Sequence, residues 1–354
     1  MVMADRKIIH IDMDCFFAAV EMRDFPQYRD IPLAVGGSSK QRGVISTCNY
    51  IARQYGVRSA LSTAKAYQLC PHLTLVNGRM DVYRQVSKQI REIFSRYTSL
   101  IEPLSLDEAY LDVTNSKMLH GSATLIAQAI RVDIERELNL TASAGVAPLK
   151  FLAKIASDLN KPNGITVIPP EKVQQTIDGL ALEKIPGVGK VTIEKLHQAG
   201  LYTCLDVRQS NYRDLLGQFG LLGASLWKKS NGIDNREVVV ERNRKSVGVE
   251  RTFSENISSF GECWQVIEQK LYPELDKRLL KASPSKAITK QGIKVKFADF
   301  QQTTIEHNAQ LFKLEDYKEL LQEVLTRQKG REIRLLGVSV MLKPEELERQ
   351  LCLI

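Results

Sequence analysis

Residues 7–17, KIIHIDMDCFF, are the stretch from which the rest of the fold can be worked out. The apolar run over residues 7–13 has the length and composition of a buried strand, and residues 16–23 follow as a short helix that ends before Pro26. Two carboxylates, Asp12 and Asp14, stand where the strand closes. The stretch therefore predicts a buried strand that ends in acidic side chains.

Strands and helices alternate outward from this stretch as far as residue 168. Within IEPLSLDEAYLDV, residues 101–113, Asp107 and Glu108 interrupt an apolar pair of strands that meet at a tight connection. Helices are predicted at 83–97, 122–138 and 149–159, and strands at 32–35, 43–47, 141–146 and 165–168. This alternation predicts an α/β or α+β layer in which helices pack on a sheet.

The second half of the chain has a different organisation. Residues 182–201 predict two helices joined by IPGVGK, and residues 235–245 lack a helical period and are interpreted as a linker. From residue 246 to 342 the pattern predicts the order β-α-β-β-α-β, a compact split domain. The pattern therefore predicts a multidomain chain, with an α/β or α+β layer in its first half and a split α+β domain at its end.

The overall composition is that of a globular protein with more than one domain. The chain has 354 residues, of which 44% are hydrophobic and 25% charged, and this excludes a disordered or collagen-like chain. Its six cysteines show neither a C-x-x-C pair nor zinc-ligand spacing, so disulfides and structural zinc are not expected. Because no secretory signal opens the sequence and no apolar run is long enough to cross a membrane, we expect a cytoplasmic protein.

The acidic residues near the predicted strand ends are candidates for a metal site. Two carboxylates about 4 Å apart repel by about 4 kcal/mol at an effective dielectric constant of 20. A third carboxylate in a partly buried cleft would need a cation or a retained proton, and Mg²⁺ prefers such oxygen ligands. Side chains alternate along a strand, so Asp12 and Asp14 point to one face and the pattern leaves the choice between them open. A solvated turn is the alternative interpretation of each acidic pair.

Several other side chains could bind phosphate groups. Tyr50 and Arg53 are three residues apart on a predicted helix, share a face and could hold a triphosphate together. Gly187 and Gly189 would let a DNA phosphate approach the N-terminus of the helix that follows, next to Lys190. The alternative for this turn is a plain connection between helices.

A basic run marks the C-terminal domain. Between Lys270 and Lys296, eight Lys and Arg residues against two acidic residues account for most of the net charge of +8. This run is interpreted as a DNA-binding surface, with a solvated face as the alternative. The lysines assigned to it are Lys286, Lys290, Lys294 and Lys296. The chain closes on the apolar tail QLCLI, which could dock on its own domain or bind a partner's groove.

Five segments of the chain occur together in one known family. HIDMDCFFAAVE, GVISTCNYIARQYGVRSA, SLDEAYLDV, SAGVAPLKFLAKIASDLNKPNG and IPGVGK have the order and spacing of the Y-family DNA polymerases, and residues 7–354 resemble their bacterial members. The resemblance implies a right-hand fold. Its parts would be a catalytic palm (1–14 and 80–169), small fingers (15–79), a helix-hairpin-helix thumb (170–235), a linker (236–245), a little finger (246–346) and a clamp-binding tail (347–354).

The resemblance also implies roles for individual residues. The family's metal ligands fall on Asp12, Asp107 and Glu108, with the main-chain carbonyl of Met13, which leaves Asp14 a structural role. The steric gate that selects deoxynucleotides falls on Phe17. The positions that hold the incoming triphosphate are Thr47, Tyr50, Arg53 and Lys161.

The implied activity is template-directed, low-fidelity DNA synthesis past lesions. Two Mg²⁺ ions would assist the attack of a primer 3′-OH on the α-phosphate, with release of pyrophosphate. No stretch remains for a proofreading 3′-5′ exonuclease once the polymerase segments are assigned.

The implied partners are primer-template DNA, a deoxynucleoside triphosphate and a sliding clamp, the DNA polymerase III beta subunit. The clamp-binding residues would be Gln350, Leu351, Leu353 and Ile354, although the family often has an aromatic residue where this chain ends in Ile354. The protein is expected to act as a monomer and without a membrane.

Two other functions share part of this pattern. A catalytically idle module that binds DNA and the clamp would not need all three acids, Asp12, Asp107 and Glu108. A palm-type nucleotidyl cyclase would share these carboxylates but has no need of a helix hairpin, a basic C-terminal domain or a clamp peptide. The complete set of motifs favours the polymerase.

Overall fold

The computed structural model describes residues 6–241 and 243–343. These residues form two compact units. The first unit contains residues 6–36, Ser46–Ala60 and Leu69–Glu241, and the second contains Gly37–Ile45, Leu61–Gln68 and residues 243–343. The predicted clamp-binding residues Gln350, Leu351, Leu353 and Ile354 lie outside the described residues.

The helices and strands follow the predicted order closely. The strands are β1 (Ile8–Met13), β2 (Leu33–Gly36), β3 (Ile45–Cys48), β4 (Thr74–Val76), β5 (Ile101–Pro103), β6 (Glu108–Asp112), β7 (Ala142–Ala147), β8 (Ile165–Val167), β9 (Ser246–Ile257), β10 (Ile288–Phe297), β11 (Gln302–Asn308) and β12 (Ile333–Leu342). The helices are α1 (Phe16–Asp24), α2 (Tyr50–Gln54), α3 (Thr63–Leu69), α4 (Met80–Ser95), α5 (Ala123–Leu138), α6 (Lys150–Leu159), α7 (Val173–Asp178), α8 (Lys190–Gln198), α9 (Cys204–Gln209), α10 (Tyr212–Ser230), α11 (Phe260–Val266), α12 (Tyr272–Ala282) and α13 (Leu314–Leu325). No helix among the described residues is long and apolar enough to span a membrane.

The main sheet of the first unit has the strand order β5-β6-β1-β7-β8, so the N-terminal strand lies at its centre. β1 pairs antiparallel with β6 and with β7. Both faces of β1 are covered: Ile9 and Ile11 pack in the same cluster as α4 and α5, and Ile8 packs with α6. The predicted buried strand and the predicted layer of helices on a sheet are confirmed.

A smaller sheet with the order β3-β2-β4 precedes α4. β2 and β4 are parallel. The sequence pattern did not predict β4, because three residues are too few to set a period. The helices α7 to α10 follow the main sheet. In the stretch from 182 to 201, a single 3₁₀ turn, Leu182–Lys184, replaces the first of the two predicted helices, since Pro186 cannot donate a helical hydrogen bond.

The predicted linker begins as a segment tied to the main-sheet unit. Val239 N donates to Glu102 Oε2 (2.8 Å), Lys150 Nζ donates to Glu237 O (2.8 Å), and Asp234 Oδ2 accepts from Phe151 N (3.1 Å) at the start of α6. No helix or strand is assigned to the described residues of 235–245. The chain is therefore anchored up to Val239 by side chains of the first unit.

The second unit contains an antiparallel sheet with the order β11-β10-β12-β9. Helices α12 and α13 bury Leu275, Leu279 and Leu320 against one of its faces, and the predicted β-α-β-β-α-β order is confirmed. Along β10, Gln291, Ile293, Val295 and Phe297 are buried, while Lys290, Lys294 and Lys296 alternate with them. These three lysines therefore lie on the face opposite the helices.

Candidate active site

The pairing of β1 with β6 brings the predicted acids together at one end of the main sheet. Asp12 lies opposite Glu108 in the register, and Met13 N donates to Asp107 O (2.9 Å) just beyond the last pair. Ligand atoms of His10, Asp12 and Glu108 all lie within 4.8 Å of one another. Asp107 borders the same region, and its Oδ1 accepts from Ser105 Oγ (2.5 Å).

Asp14 is separated from this group. β1 ends at Met13, so strand alternation stops one residue before Asp14 and does not bring its side chain beside that of Asp12. The Asp14 carboxylate is 2% exposed and accepts hydrogen bonds from Ser143 Oγ (2.8 Å), Asn163 N (2.8 Å) and Tyr50 OH (3.4 Å). These hydrogen bonds join the end of β1 to β7, to the loop before β8 and to α2.

A cavity of about 150 Å³ lies beside the acids. It is lined by most of the residues that the sequence singled out, namely Asp12, Met13, Phe17, Thr47, Tyr50, Arg53, Asp107 and Lys161, and also by Cys15, Phe16, Ser46 and Ser59. Glu108 is not among the lining residues, because its carboxylate lies between His10 and Lys154. The structure therefore gathers carboxylates, cations and an aromatic ring around one space.

The two half-buried acids differ in their electrostatic surroundings. Burial raises the pKa of Asp12 to about 6 even though Lys161 Nζ lies 2.8 Å from its Oδ1. Burial would also raise the pKa of Glu108, but hydrogen bonds from His10 and Lys154 outweigh that effect and bring the pKa to about 2. Each carboxylate is thus paired with a lysine that a bound cation would have to displace or share.

The donor set fits a divalent cation. Asp12 and Glu108 supply carboxylate oxygens close together, and Asp107 supplies a third carboxylate at the cavity wall. Magnesium takes oxygen ligands and is bound by one or two carboxylates together with substrate phosphates. In this structure Lys161 and Lys154 place positive charge beside Asp12 and Glu108, as a bound cation would.

The ring of Phe17 is held in place from behind. It stacks on Tyr83 with a centroid distance of 4.3 Å and an interplanar angle of 11°. The Tyr83 hydroxyl donates to the buried Glu21 carboxylate (2.6 Å), which fixes the ring below Phe17. Phe16, by contrast, is 2% exposed and belongs to the core. Both phenylalanines line the cavity, and the Phe17 ring is fixed there by its stack on Tyr83.

The predicted pairing of Tyr50 and Arg53 on one helix face is confirmed. The Arg53 guanidinium lies over the Tyr50 ring, 4.6 Å from its centroid. Helix α2, which carries both residues, is capped by Asn49, whose side chain accepts from Ala52 N. The short helix therefore presents one aromatic and one cationic group to the cavity.

The glycine turn before α8 leaves its backbone open. Gly187 has a φ of 96°, which requires glycine, and a Cβ at Gly187 or Gly189 would meet nothing within 4 Å. Gly189 is the N-cap of α8, and no side chain caps this helix end. The amide groups of the turn and the exposed Lys190 are thus accessible to an anion.

Carboxylates lie beside three of the four lysines assigned to DNA binding. Lys286 Nζ is 2.5 Å from Asp276, Lys294 Nζ is 2.9 Å from Glu250, and Lys290 Nζ is 3.6 Å from Glu306. Lys296 instead lies over the Phe300 ring, 5.0 Å from its centroid. The surface is therefore less positive than the linear sequence suggests.

His10 also belongs to the group of side chains around Asp12 and Glu108 and was not predicted from the sequence. Its side chain is fully buried, its Nε2 lies 3.1 Å from Glu108 Oε2 and its Nδ1 lies 2.8 Å from Ser157 Oγ. Burial lowers its pKa. The available signal was a polar residue inside an apolar strand, two positions before Asp12 and so on the same face.

Comparison with known proteins covers almost the whole chain. The family models that match are the impB/mucB/samB family over residues 11–158, its C-terminal domain over residues 244–353, and the DNA polymerase-iota thumb domain over residues 183–234. The DNA polymerase IV of Vibrio parahaemolyticus is 74% identical, with 98% of each chain covered. The DNA polymerase IV of Pectobacterium atrosepticum is 59% identical, also with 98% of each chain covered.

Solved structures agree with these sequence matches. A Y-family DNA polymerase chimera of Dbh and Dpo4 superposes with a TM-score of 0.87 at 30% identity, covering 95% of this chain and 98% of that one. An insertion ternary complex of Dbh DNA polymerase gives a TM-score of 0.67 at 29% identity, covering 95% of this chain and 100% of the other.

Proposed function

Because the chain belongs to the impB/mucB/samB family of Y-family DNA polymerases and is a translesion DNA-directed DNA polymerase, we propose that its chemistry takes place at the cavity between the β1–β6 acids and α2. The main support for this proposal is the register of β1 and β6. It places Asp12 opposite Glu108, beside a cavity lined by Phe17, Tyr50 and Lys161. Carboxylates for metal, cations for phosphate and a ring for sugar selection meet there.

Asp12, Asp107 and Glu108, with the Met13 carbonyl, would hold two Mg²⁺ ions in this proposal. When bound, the ions would lower the pKa of the primer 3′-OH and neutralise charge on the triphosphate and the leaving pyrophosphate. Lys161 and Arg53 would add positive charge around the phosphates, and the hydroxyls of Tyr50 and Thr47 would donate hydrogen bonds to them. Catalysis would rest on positioning and charge neutralisation.

Phe17 would exclude ribonucleotides in the same proposal. Its ring lines the cavity and is fixed by Tyr83, so it cannot turn away from an added 2′-hydroxyl without disturbing the stack. A ring held this way discriminates by sterics rather than by hydrogen bonding.

Two further surfaces would hold the DNA, and the tail would hold a partner. The amides of Gly187 and Gly189 with Lys190 would bind the backbone phosphates, as would Lys286, Lys290, Lys294 and Lys296. The palm, fingers, thumb, linker and little finger would follow the boundaries given by the resemblance. Gln350, Leu351, Leu353 and Ile354 would bind the sliding clamp.

The proposal also includes low-fidelity synthesis in the cytoplasm by a monomer without a proofreading nuclease. The family matches over residues 11–158, 183–234 and 244–353 support the polymerase assignment on which these properties depend.

Primer extension tests the proposal. The intact protein, Asp107→Asn and Phe17→Ala are compared with Mg²⁺ and either deoxynucleotides or ribonucleotides. Extension should vanish in Asp107→Asn, and ribonucleotides should be incorporated only by Phe17→Ala. If the intact protein binds primer-template but extends nothing with any divalent metal, an idle DNA-binding module is the better interpretation.

A further inference from the structure

His10 has contacts that the proposed mechanism does not use. It lies on the central strand, with Asp12 two residues further on and Glu108 on the neighbouring strand. Its ring packs against Tyr110, with a centroid distance of 4.9 Å, and no part of the side chain is exposed. A buried histidine between apolar strand residues is costly unless its nitrogens have partners, and both nitrogens here have one.

The two contacts of the ring fix its orientation. Ser157 Oγ on α6 lies 2.8 Å from Nδ1, and Glu108 Oε2 lies 3.1 Å from Nε2. An ionised Glu108 carboxylate can only accept a hydrogen bond, so the single N–H of a neutral ring is on Nε2 and donates to it. Nδ1 is then an acceptor, and the Ser157 hydroxyl, which also lies 2.8 Å from Lys154 O, donates to Nδ1 in this tautomer. The ring therefore lies between Ser157 of α6 on one side and the Glu108 carboxylate on the other.

Lys154 also contacts the Glu108 carboxylate, but its side chain can move more than that of His10. Its side chain is 26% exposed and is flexible, so it can leave Glu108 when another cation arrives. His10 is enclosed by Tyr110 and α6 and has no such alternative position. The histidine contact is thus the one that would persist when a metal ion replaces the lysine.

We propose that His10 is a positioning residue for Glu108, holding the carboxylate at Oε2 so that it meets a divalent cation in one orientation. This inference rests on the proposed metal site and adds a requirement to it. Carboxylates that bind metals are commonly oriented by such hydrogen bonds, and loss of an outer partner typically costs about 10–100-fold in metal affinity or activity.

Three variants of the full-length protein test this role. His10→Phe keeps a ring against Tyr110 and removes both nitrogens, and His10→Gln keeps a nitrogen donor at similar reach. Ser157→Ala leaves the histidine in place and removes the hydroxyl beside Nδ1, which also lies 2.8 Å from Lys154 O. The readout is Mn²⁺ affinity by electron paramagnetic resonance, with primer-template DNA and a non-hydrolysable deoxynucleotide present. Half-saturating Mg²⁺ for primer extension is measured alongside it.

We expect His10→Phe to weaken Mn²⁺ binding by about 10–100-fold. His10→Gln should stay within about threefold of the intact protein, and Ser157→Ala should lie between the two. Excess Mg²⁺ should restore most of the extension rate of His10→Phe. Unchanged Mn²⁺ affinity in His10→Phe, or equal losses in His10→Phe and His10→Gln, would refute the positioning role.

Asp107→Asn separates this inference from the metal site on which it depends. If Asp107→Asn abolishes extension and weakens Mn²⁺ binding while His10→Phe does neither, the site stands and the role of His10 fails. If Asp107→Asn changes neither property, both fail. Where thermal unfolding shows that His10→Phe does not fold, Ser157→Ala decides, and an unchanged Mn²⁺ affinity in that variant overturns the proposal.

Discussion

Both units of the molecule contain pairs of a lysine and a carboxylate on a sheet, but the pairs differ in burial. In the first unit the side chains of Asp12 and Lys161 are 18% and 19% exposed. In the second unit those of Glu250 and Lys294 are 53% and 36% exposed. Exposed pairs contribute about 0–1 kcal/mol and are screened by salt, whereas buried ones interact strongly. In the proposed function, the buried pair belongs to the site for a cation, and the exposed pair belongs to a surface whose lysines exchange carboxylates for phosphates.

The largest expected effect is a loss of primer extension when Glu108 in the first unit is neutralised, compared with the same change at Glu250 in the second unit. Glu108→Gln removes a charge that would be opposite a metal ion, and extension should fall by about 10²–10³-fold, as when other preorganised electrostatic groups are removed. Glu250→Gln makes the same chemical change on the sheet of the second unit and should leave the extension rate within about twofold of that of the intact protein. Steady-state primer extension at saturating Mg²⁺ compares them, and similar losses in both would remove the distinction between the two units.

The next effect is on stability in the absence of metal. The pKa of Asp12 rises from 3.8 to about 6 in the folded protein, so the folded state binds this proton more tightly than the unfolded state. Its stabilising contribution is present below about pH 4 and is lost as the pH rises through 6, at a cost of up to about 3 kcal/mol for a shift of about two units.

Asp12→Asn cannot ionise and should therefore gain stability over the intact protein as the pH rises. With EDTA present, thermal unfolding should give similar midpoints at pH 4 and a higher midpoint for Asp12→Asn at pH 7.5. The control is Asp158→Asn, which also contacts Lys161 but is 60% exposed, and its difference from the intact protein should not depend on pH in this way. A constant difference for Asp12→Asn would contradict the pKa shift.

A smaller effect is expected on the salt dependence of DNA binding by the sheet of the second unit. Replacing Lys290, Lys294 and Lys296 by glutamine should reduce the slope of log affinity against log salt by about 0.9 for each phosphate that is no longer neutralised. The control is Lys318→Gln, since this exposed lysine is on α13 rather than on the strand face. Fluorescence anisotropy with primer-template DNA from low to high salt measures both slopes. Equal slopes would mean that the lysines are only solvated.

The smallest effect should come from removing a carboxylate that competes with DNA. Glu250→Gln frees Lys294 from its partner at 2.9 Å, and primer-template affinity at low salt should rise by about twofold, equivalent to about 0.5 kcal/mol. The gain should disappear at high salt, where the original pair is screened. An unchanged or weaker affinity at low salt would show that Lys294 does not exchange partners.

Much of the fold was predictable because its elements have strong local periods. The buried run in β1, the amphipathic α4 and the helix predicted over 122–138 all form as the sequence indicates. Asp14 was harder to predict, since its orientation depends on β1 ending one residue earlier. The partner of Lys294 was also beyond reach, because Glu250 meets it only through the register of three strands.

For the candidate site, the residues that line the cavity were easier to predict than the residues that contact them from behind. The family resemblance named eight of the twelve residues that line the cavity. His10 was missed because its role depends on a side chain of α6 that lies 147 residues away in sequence. Sequence alone gives the groups that face a ligand more readily than the groups that orient them from behind.

The central place of β1 has a consequence for how this chain is made. The ribosome synthesises β1 before its neighbours: β6 follows roughly 100 residues later and β7 roughly 135 residues later, which at roughly 5–20 residues per second are delays of roughly 5–20 s and roughly 7–27 s. Until β6 emerges, Ile8, Ile9 and Ile11 have no sheet to enter. The apolar residues of β1 therefore stay incompletely paired until translation passes Ala147, and this is the period in which a chaperone at the ribosomal exit would matter most to the nascent protein.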